Sequence, residues 1–259
     1  MNLTQNTILV TGGGSGIGRG LAEAFHALGN QVIIAGRRRR LLEETAEANP
    51  GMQYRVLDQD NGAEIRDFAA QIIADFPTLN VLVNNAGIQR VEDMTSGSIE
   101  TAESTITTNL LGPIRLTAAL LPALMARPEA AILNVTSGLA FIPFAMIPTY
   151  CATKAALRSY TQSLRYQLGN TRVQVIEIIP PWVQTELQGD RGMNPKAMPL
   201  DEYIAETMSI LKKSPDAREI VVERVKPLLG FTDRSPAYDE FFANFNRQSA
   251  ALARETRSQ

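Results

Sequence analysis

The chain has 259 residues, 44% of them hydrophobic and 20% charged, with a formal net charge of -2 and a single cysteine. This length suits two average domains or one large α/β domain, and the composition fits a soluble globular chain with a sizeable core rather than a disordered one. One cysteine excludes an intrachain disulfide and a cysteine metal cluster and suits a reducing cytoplasm, while the charge balance argues against a general nucleic-acid or membrane binder.

MNLTQNTILVTGGG lacks a basic region followed by a long apolar core, so no secretory signal is expected. TILVT at 7–11 reads as a strand and 16–29 as a helix. Between them lies TGGGSGIG, residues 11–18. Glycines let the backbone turn tightly and approach a pyrophosphate, and the amides at a helix N-terminus attract the anion. Gly12, Ser15, Gly16, Ile17 and Gly18 are therefore expected at a dinucleotide. The spacing departs from G-x-G-x-x-G, so the placement between strand and helix carries the inference; a glycine-rich turn without a ligand is the plain alternative.

QVIIAG at 31–36 is the second strand, and GRRRR follows at 36–40. At this point of such folds a carboxylate accepts from the adenosine ribose 2′-hydroxyl, or an arginine takes a 2′-phosphate. Arg37 with Arg38 is expected to clamp the extra phosphate of NADP, making NADP(H) the preferred cofactor with NAD(H) an open second. Arg39 and Arg40 rotate away along the helix, and a solvated helix start is the alternative for the whole run.

Strands at 53–57, 80–84, 130–136 and 172–179 alternate with helical patterns at 62–76, 99–126 and 149–169. Crossovers of that length imply a doubly wound Rossmann-type α/β domain over residues 1–259, a parallel sheet of six strands with helices on both faces. LTAALLPALMA at 116–126 contains Pro122, is too short to span a bilayer and reads as a buried helix. GDRGMNPKAMP at 189–199 is polar and punctuated by Gly and Pro, so 186–215 is expected to form a mobile substrate loop and lid helix. DEYIAETMSILKKS and YDEFFANFN read as a helical C-terminal extension, which leaves a seventh strand open.

The chain resembles the short-chain dehydrogenase/reductase family in TGGGSGIG, NNAG at 84–87, Asn109, Ser137 and YCATK at 150–154, in matching order and spacing over about residues 7–185. The closing section looks like that of a DltE-like subgroup of oxidoreductases. Four residues apart on a helix, Tyr150 and Lys154 share a face, and a neighbouring ammonium is expected to lower a phenol pKa by about 1 to 3 units. The resemblance implies Tyr150 as general acid/base, Lys154 as its tuner, Ser137 as carbonyl donor, and Asn109 as holder of a water linking Lys154 to solvent. It also implies Asp58 at the adenine, with helix capping as its alternative. Asn84, Ala86 and Gly87 would line the ribose side, and Pro180, Val183 and Thr185 the nicotinamide. Pro181 departs from the family's usual glycine, fixing φ and removing an amide donor beside the cofactor.

GLAFIPFAMIP at 138–148 is almost wholly apolar. Leu139, Phe144, Trp182 and Leu187, with Met193, are expected around an apolar substituent, and ordinary core packing is the alternative. Gln89, Arg90 and Arg191 approach from loops. Cys151 turns about 100° from Tyr150 on the helix and reads as a packing residue, His26 as surface or packing, and no metal site is expected. The reading is an NADPH-dependent reductase of a small, apolar aldehyde or ketone, reversible as an alcohol dehydrogenase. Its alternative is a non-catalytic NADP-sensing regulator of the same fold. By resemblance the helices near 99–126 and 149–169 pair in a homodimer or homotetramer; the partner is a small-molecule substrate, neither nucleic acid nor membrane.

Overall fold

A computed structural model describes the backbone of residues 1–230 and 238–255, with side chains over those ranges except at 188, 190, 191, 193, 238, 239 and 249–255. Arg191 and Met193, expected near the substrate, lie outside the described side chains. In chain order the elements are β1 (Thr7–Thr11), α1 (Gly16–Ala27), β2 (Gln31–Gly36), α2 (Arg39–Ala48), β3 (Gln53–Val56), α3 (Gly62–Asp75) and β4 (Val81–Asn84). Then come α4 (Glu100–Ile106), α5 (Gly112–Met125), β5 (Ala130–Val135), α6 (Pro148–Gln167), β6 (Val173–Ile179), α7 (Leu200–Lys213), β7 (Glu219–Val221), α8 (Lys226–Leu229) and α9 (Tyr238–Glu255).

All seven strands are parallel, in the order β3-β2-β1-β4-β5-β6-β7. Strand alternation sends Ile8, Val10 and Ile34 to one face, where α1 adds Leu21 and Phe25 and α7 adds Tyr203. Leu9, Ile33 and Leu82 go to the other, against Leu116, Leu120 and Leu124 of α5 and Ile65, Phe68 and Ile72 of α3. Burial on both faces explains why the central strands are runs of β-branched and aliphatic residues. The order reverses between β1 and β4, and a crevice at the carboxyl ends of the strands flanking such a switch point is where α/β sheets bind ligands.

The seventh strand, open from sequence, forms: Glu219, Ile220 and Val221 pair with Glu177, Ile178 and Ile179. The helix expected at 99–126 is interrupted, because Thr107–Leu111 winds as a π-turn between α4 and α5. The combined run Glu100–Met125, 26 residues, is long and apolar enough to cross a membrane by length and composition. The stretch 116–126, too short to span by itself, belongs to this longer run, and its Leu116, Leu120 and Leu124 are buried in the core as expected of it.

Candidate active site

The glycine turn leaves β1 with Gly12 at φ +68° and enters α1 with Gly16 at φ +53°, left-handed values that favour glycine. A Cβ on Gly12 would stand 2.8 Å from Asn85 Nδ2 and 2.9 Å from the Ala86 Cα, so a side chain there would meet the β4 loop. Ser15, the N-cap of α1, makes no side-chain cap bond, and the first turn holds no acidic residue. Its Oγ instead accepts from the Arg38 guanidinium at 2.6 Å. A glycine cradle, a helix N-terminus without a carboxylate and a guanidinium beside it fit a dinucleotide phosphate.

Arg37 and Arg38 both line the cavity, paired loosely at 3.4 Å with Asp60 and Glu186. Arg39 and Arg40 pair with Glu43 and Glu44 one turn along α2, the solvated role expected of them.

The cavity encloses about 590 Å³, and Ser137, Tyr150 and Lys154 stand in its wall, all under a tenth exposed. Ser137 follows β5, and its Oγ accepts from the Leu139 amide at 3.1 Å, which leaves the hydroxyl hydrogen free to donate. Tyr150 is in the first turn of α6. Lys154, one turn on, places Nζ 5.7 Å from the tyrosine ring centroid and donates to the Val135 carbonyl at 2.8 Å. Glu92 fastens the start of this helix by accepting from the Thr149 amide at 3.1 Å and the Thr149 hydroxyl at 2.7 Å.

The lowered phenol expected of Tyr150 is corrected here. Burial pushes it above its ordinary value, against a smaller lowering by the Ser137 hydrogen bond. Burial also lowers Lys154 to about 8. Desolvation wins in both because each charged form would lose water on burial, Tyr150 within an apolar cluster with Ile147, Leu139 and Phe144.

Gly12, Ser15, Gly16, Ile17, Ala86, Gly87, Pro180, Val183 and Thr185 all line the cavity, as do Leu139, Phe144, Trp182 and Leu187. Four expected residues do not reach its wall. Gly18 is packed inside the turn, where a Cβ would lie 2.3 Å from the Gly12 carbonyl oxygen and from Asn85 Nδ2. Asp58 turns its carboxylate to the Asp60 amide, 3.1 Å, while Asn61 caps α3. Asn84 is buried in a polar ladder, donating to Thr117 and to Asn134, which donates to Thr161. Asn109, inside the π-turn, holds the Ile88 backbone, accepting from its amide at 2.8 Å and donating to its carbonyl at 2.9 Å.

Sequence reasoning missed several wall residues. Asn85, not Asn84, faces the cavity, donating to the Thr11 carbonyl at 2.9 Å. Gln59, whose amide bonds the Thr108 carbonyl at 2.7 Å, lines the cavity beside Asp58, which does not. All of these but Asn84 lie just past the ends of β3 and β4, where the course of the loop decides which of two adjacent polar residues faces the cavity, and a motif alone does not fix that. Leu228 and Phe245 arrive from the tail, with no local signal. Cys151 packs as expected: its Sγ accepts from the Phe144 amide, and burial pushes the thiol up to about 11.

Residues 6–196 match the short chain dehydrogenase family. Over 255 residues the chain is 41% identical to the uncharacterized oxidoreductase DltE of Bacillus subtilis (strain 168), covering 96% of this chain and 99% of that one. It is 34% identical over 193 residues to the NADP-dependent 3-hydroxy acid dehydrogenase YdfG of Shigella flexneri, 71% of this chain and 78% of that one. Its fold superimposes on a short chain dehydrogenase from Burkholderia cenocepacia J2315 in complex with NADP, with a TM-score of 0.80 at 24% identity, covering 93% and 99% of the two chains. With the family pattern running from β1 past β6, and a relative matched nearly end to end, the chain belongs to the short-chain dehydrogenase family, oxidoreductases that act on CH–OH and C=O groups with NAD(P).

Proposed function

We propose that the protein is an NADPH-dependent carbonyl reductase, reversible as an alcohol dehydrogenase, acting on a small apolar aldehyde or ketone. The observation that carries this reading is the meeting of Ser137, Tyr150 and Lys154 in one cavity with the glycine turn, Arg37 and Arg38. The Gly12 and Gly16 turn and the two arginines would hold the phosphates, with Pro180, Val183 and Thr185 beside the nicotinamide, which supplies the hydride when bound. Tyr150 gives its proton to the carbonyl oxygen, and a phenol raised by burial keeps that proton at neutral pH until the oxygen acquires charge. Ser137 donates a second hydrogen bond to the same oxygen, and the Lys154 ammonium stabilises the phenolate that remains. Asn109, by fixing Ile88 and the loop after β4, is a positioning residue.

The name of the YdfG relative supports NADP, and the walls of Leu139, Phe144, Trp182 and Leu187 support an apolar substituent. Of the expected loop and lid helix at 186–215, only the loop up to Pro199 is read as closing over substrate, because α7 buries Tyr203, Thr207 and Leu211 in the core and is no lid. Its neck is pinned where Met198 donates to the Trp182 carbonyl and Gln184 to the Met198 carbonyl, both at 2.8 Å. Exposed Ile99, Ile106, Met125 and Tyr166 support pairing through α4, α5 and α6 in a homodimer or homotetramer. A single cysteine supports the cytoplasm.

The test is a panel of carbonyl compounds followed at the reduced-nicotinamide absorbance with NADPH and with NADH. It includes 3-oxo acids, because Arg90 also lines the cavity. Apolar aldehydes with NADPH should be the best substrates, and Tyr150→Phe should abolish turnover while sparing cofactor binding. Preference for charged carbonyls, or activity surviving in the Phe variant, would sink the reading.

A further inference from the structure

The family match ends at residue 196, yet part of the cavity wall comes from beyond it: Leu228 of α8 and Phe245 of α9. The Phe245 ring meets Phe144 edge to face, centroids 6.4 Å apart and planes at 82°, and stacks on Phe241 at 6.3 Å and 16°. One residue on, Asn246 accepts from the Ala145 amide at 2.6 Å and donates to the Pro143 carbonyl at 3.2 Å. From the opposite side Cys151, next to Tyr150, accepts from the Phe144 amide at 3.3 Å. The three residues 143–145 are thus held between the catalytic helix and α9, with Phe144 and Phe245 both in the cavity wall.

We infer that α9 completes the substrate site, with Phe245 as a specificity-determining residue that seats an aryl substituent against Phe144, and Asn246 as the positioning residue that locks this wall. The inference rests on the proposed carbonyl reduction for the reaction but not for the wall. Two rings already at an edge-to-face angle leave a third ring the same favourable choice of offset or edge contacts, which a short alkyl group cannot use. Because the wall lies outside the shared family region, it separates this chain's substrate from those of relatives that share only the first two hundred residues or so.

The test compares full-length wild type, Phe245→Ala and Phe245→Leu. The ratio of kcat/KM for phenylacetaldehyde to that for acetaldehyde is measured with NADPH, and binding of 2-phenylethanol to the NADP-loaded protein is followed by calorimetry. The ratio should fall about tenfold in Phe245→Ala and less in Phe245→Leu, with 2-phenylethanol weakened in parallel and NADPH affinity unchanged. Asn246→Ala should act on KM for phenylacetaldehyde more than on kcat. The Leu variant keeps an apolar side chain in place should the Ala variant lose its fold. An unchanged ratio and unchanged 2-phenylethanol affinity in the Phe245 variants overturn the inference, as does a wild type that neither binds 2-phenylethanol nor reduces phenylacetaldehyde. Phe245-dependent binding of 2-phenylethanol without any carbonyl turnover would uphold the wall and sink the proposed reaction instead.

Discussion

Lys154 is 5% exposed, and its ammonium has the Val135 carbonyl as a hydrogen-bond partner. Burial lowers it to about 8 from 10.5, so between those values the unfolded chain binds a proton that the folded chain does not. Stability from this group therefore rises as pH climbs from about 8 to 10.5, and the cost is fully present below 8. Lys154→Met should lose turnover yet gain stability at pH 7, by up to about 3 kcal/mol less the lost hydrogen bond, and the gain should shrink toward pH 10.5. Urea midpoints of both proteins across that range check this; a pH-independent difference would contradict it. At the far end of the cavity residues, Arg37→Ala and Arg38→Ala should each lower the NADPH to NADH affinity ratio by about tenfold, whereas Arg39→Ala should leave it unaltered. The place of Arg37 and Arg38 at the cavity was legible because it needs only the end of β2. The direction of the Tyr150 shift was not, since helical spacing reports who the neighbours are and says nothing of how much water they exclude.

At the scale of elements, two helix starts separate stability from chemistry. Asn61 caps α3, accepting from the Ala63 amide at 3.0 Å, far in sequence from any proposed catalytic group. Glu92 caps α6 from a loop 57 residues away and sits one residue from Tyr150 through Thr149. Asn61→Ala and Glu92→Ala should each destabilise by about 1 kcal/mol, but only the second should also slow turnover, as paired melts and initial rates would reveal. Equal activity in both variants would show that Glu92 has no hold on the tyrosine. Strands β1 to β6 and the glycine turn were legible because their signals are local runs of β-branched residues and a turn set between two periodicities. The seventh strand was not: its three residues begin with Glu219, whose place is fixed by Arg158 at 3.0 Å rather than by hydrophobic patterning.

Across the whole molecule that arginine ties three elements together. Arg158 of α6 reaches Glu177 of β6 at 2.7 Å and Glu219 of β7, while its guanidinium lies 4.2 Å from the Phe141 ring centroid. Glu177 is fully buried, burial pushes its carboxyl above the usual range, and it also accepts from Thr136, the neighbour of Ser137, at 2.7 Å. Arg158→Met should destabilise by about 3 to 5 kcal/mol by stranding that carboxylate, and adding Glu177→Leu should recover much of the loss, as denaturant titration of the single and double variants would tell. A milder single than double variant would refute the tie. Such long-range closures, like the return of α9 to the cavity, have no footprint in any short window of sequence. The π-turn at Thr107–Leu111 carries its own constraint on the chain's length. It behaves as a splice of surplus backbone: the wider turn takes up one residue more than an α-turn does, so α5 keeps its phase beyond it. Leu116, Leu120 and Leu124 thereby stay against the sheet while Asn109, inside the splice, is held out to Ile88. Deleting one residue here would let the turn close into plain α-helix, sparing the core face of α5 while unfastening the loop that Asn109 grips.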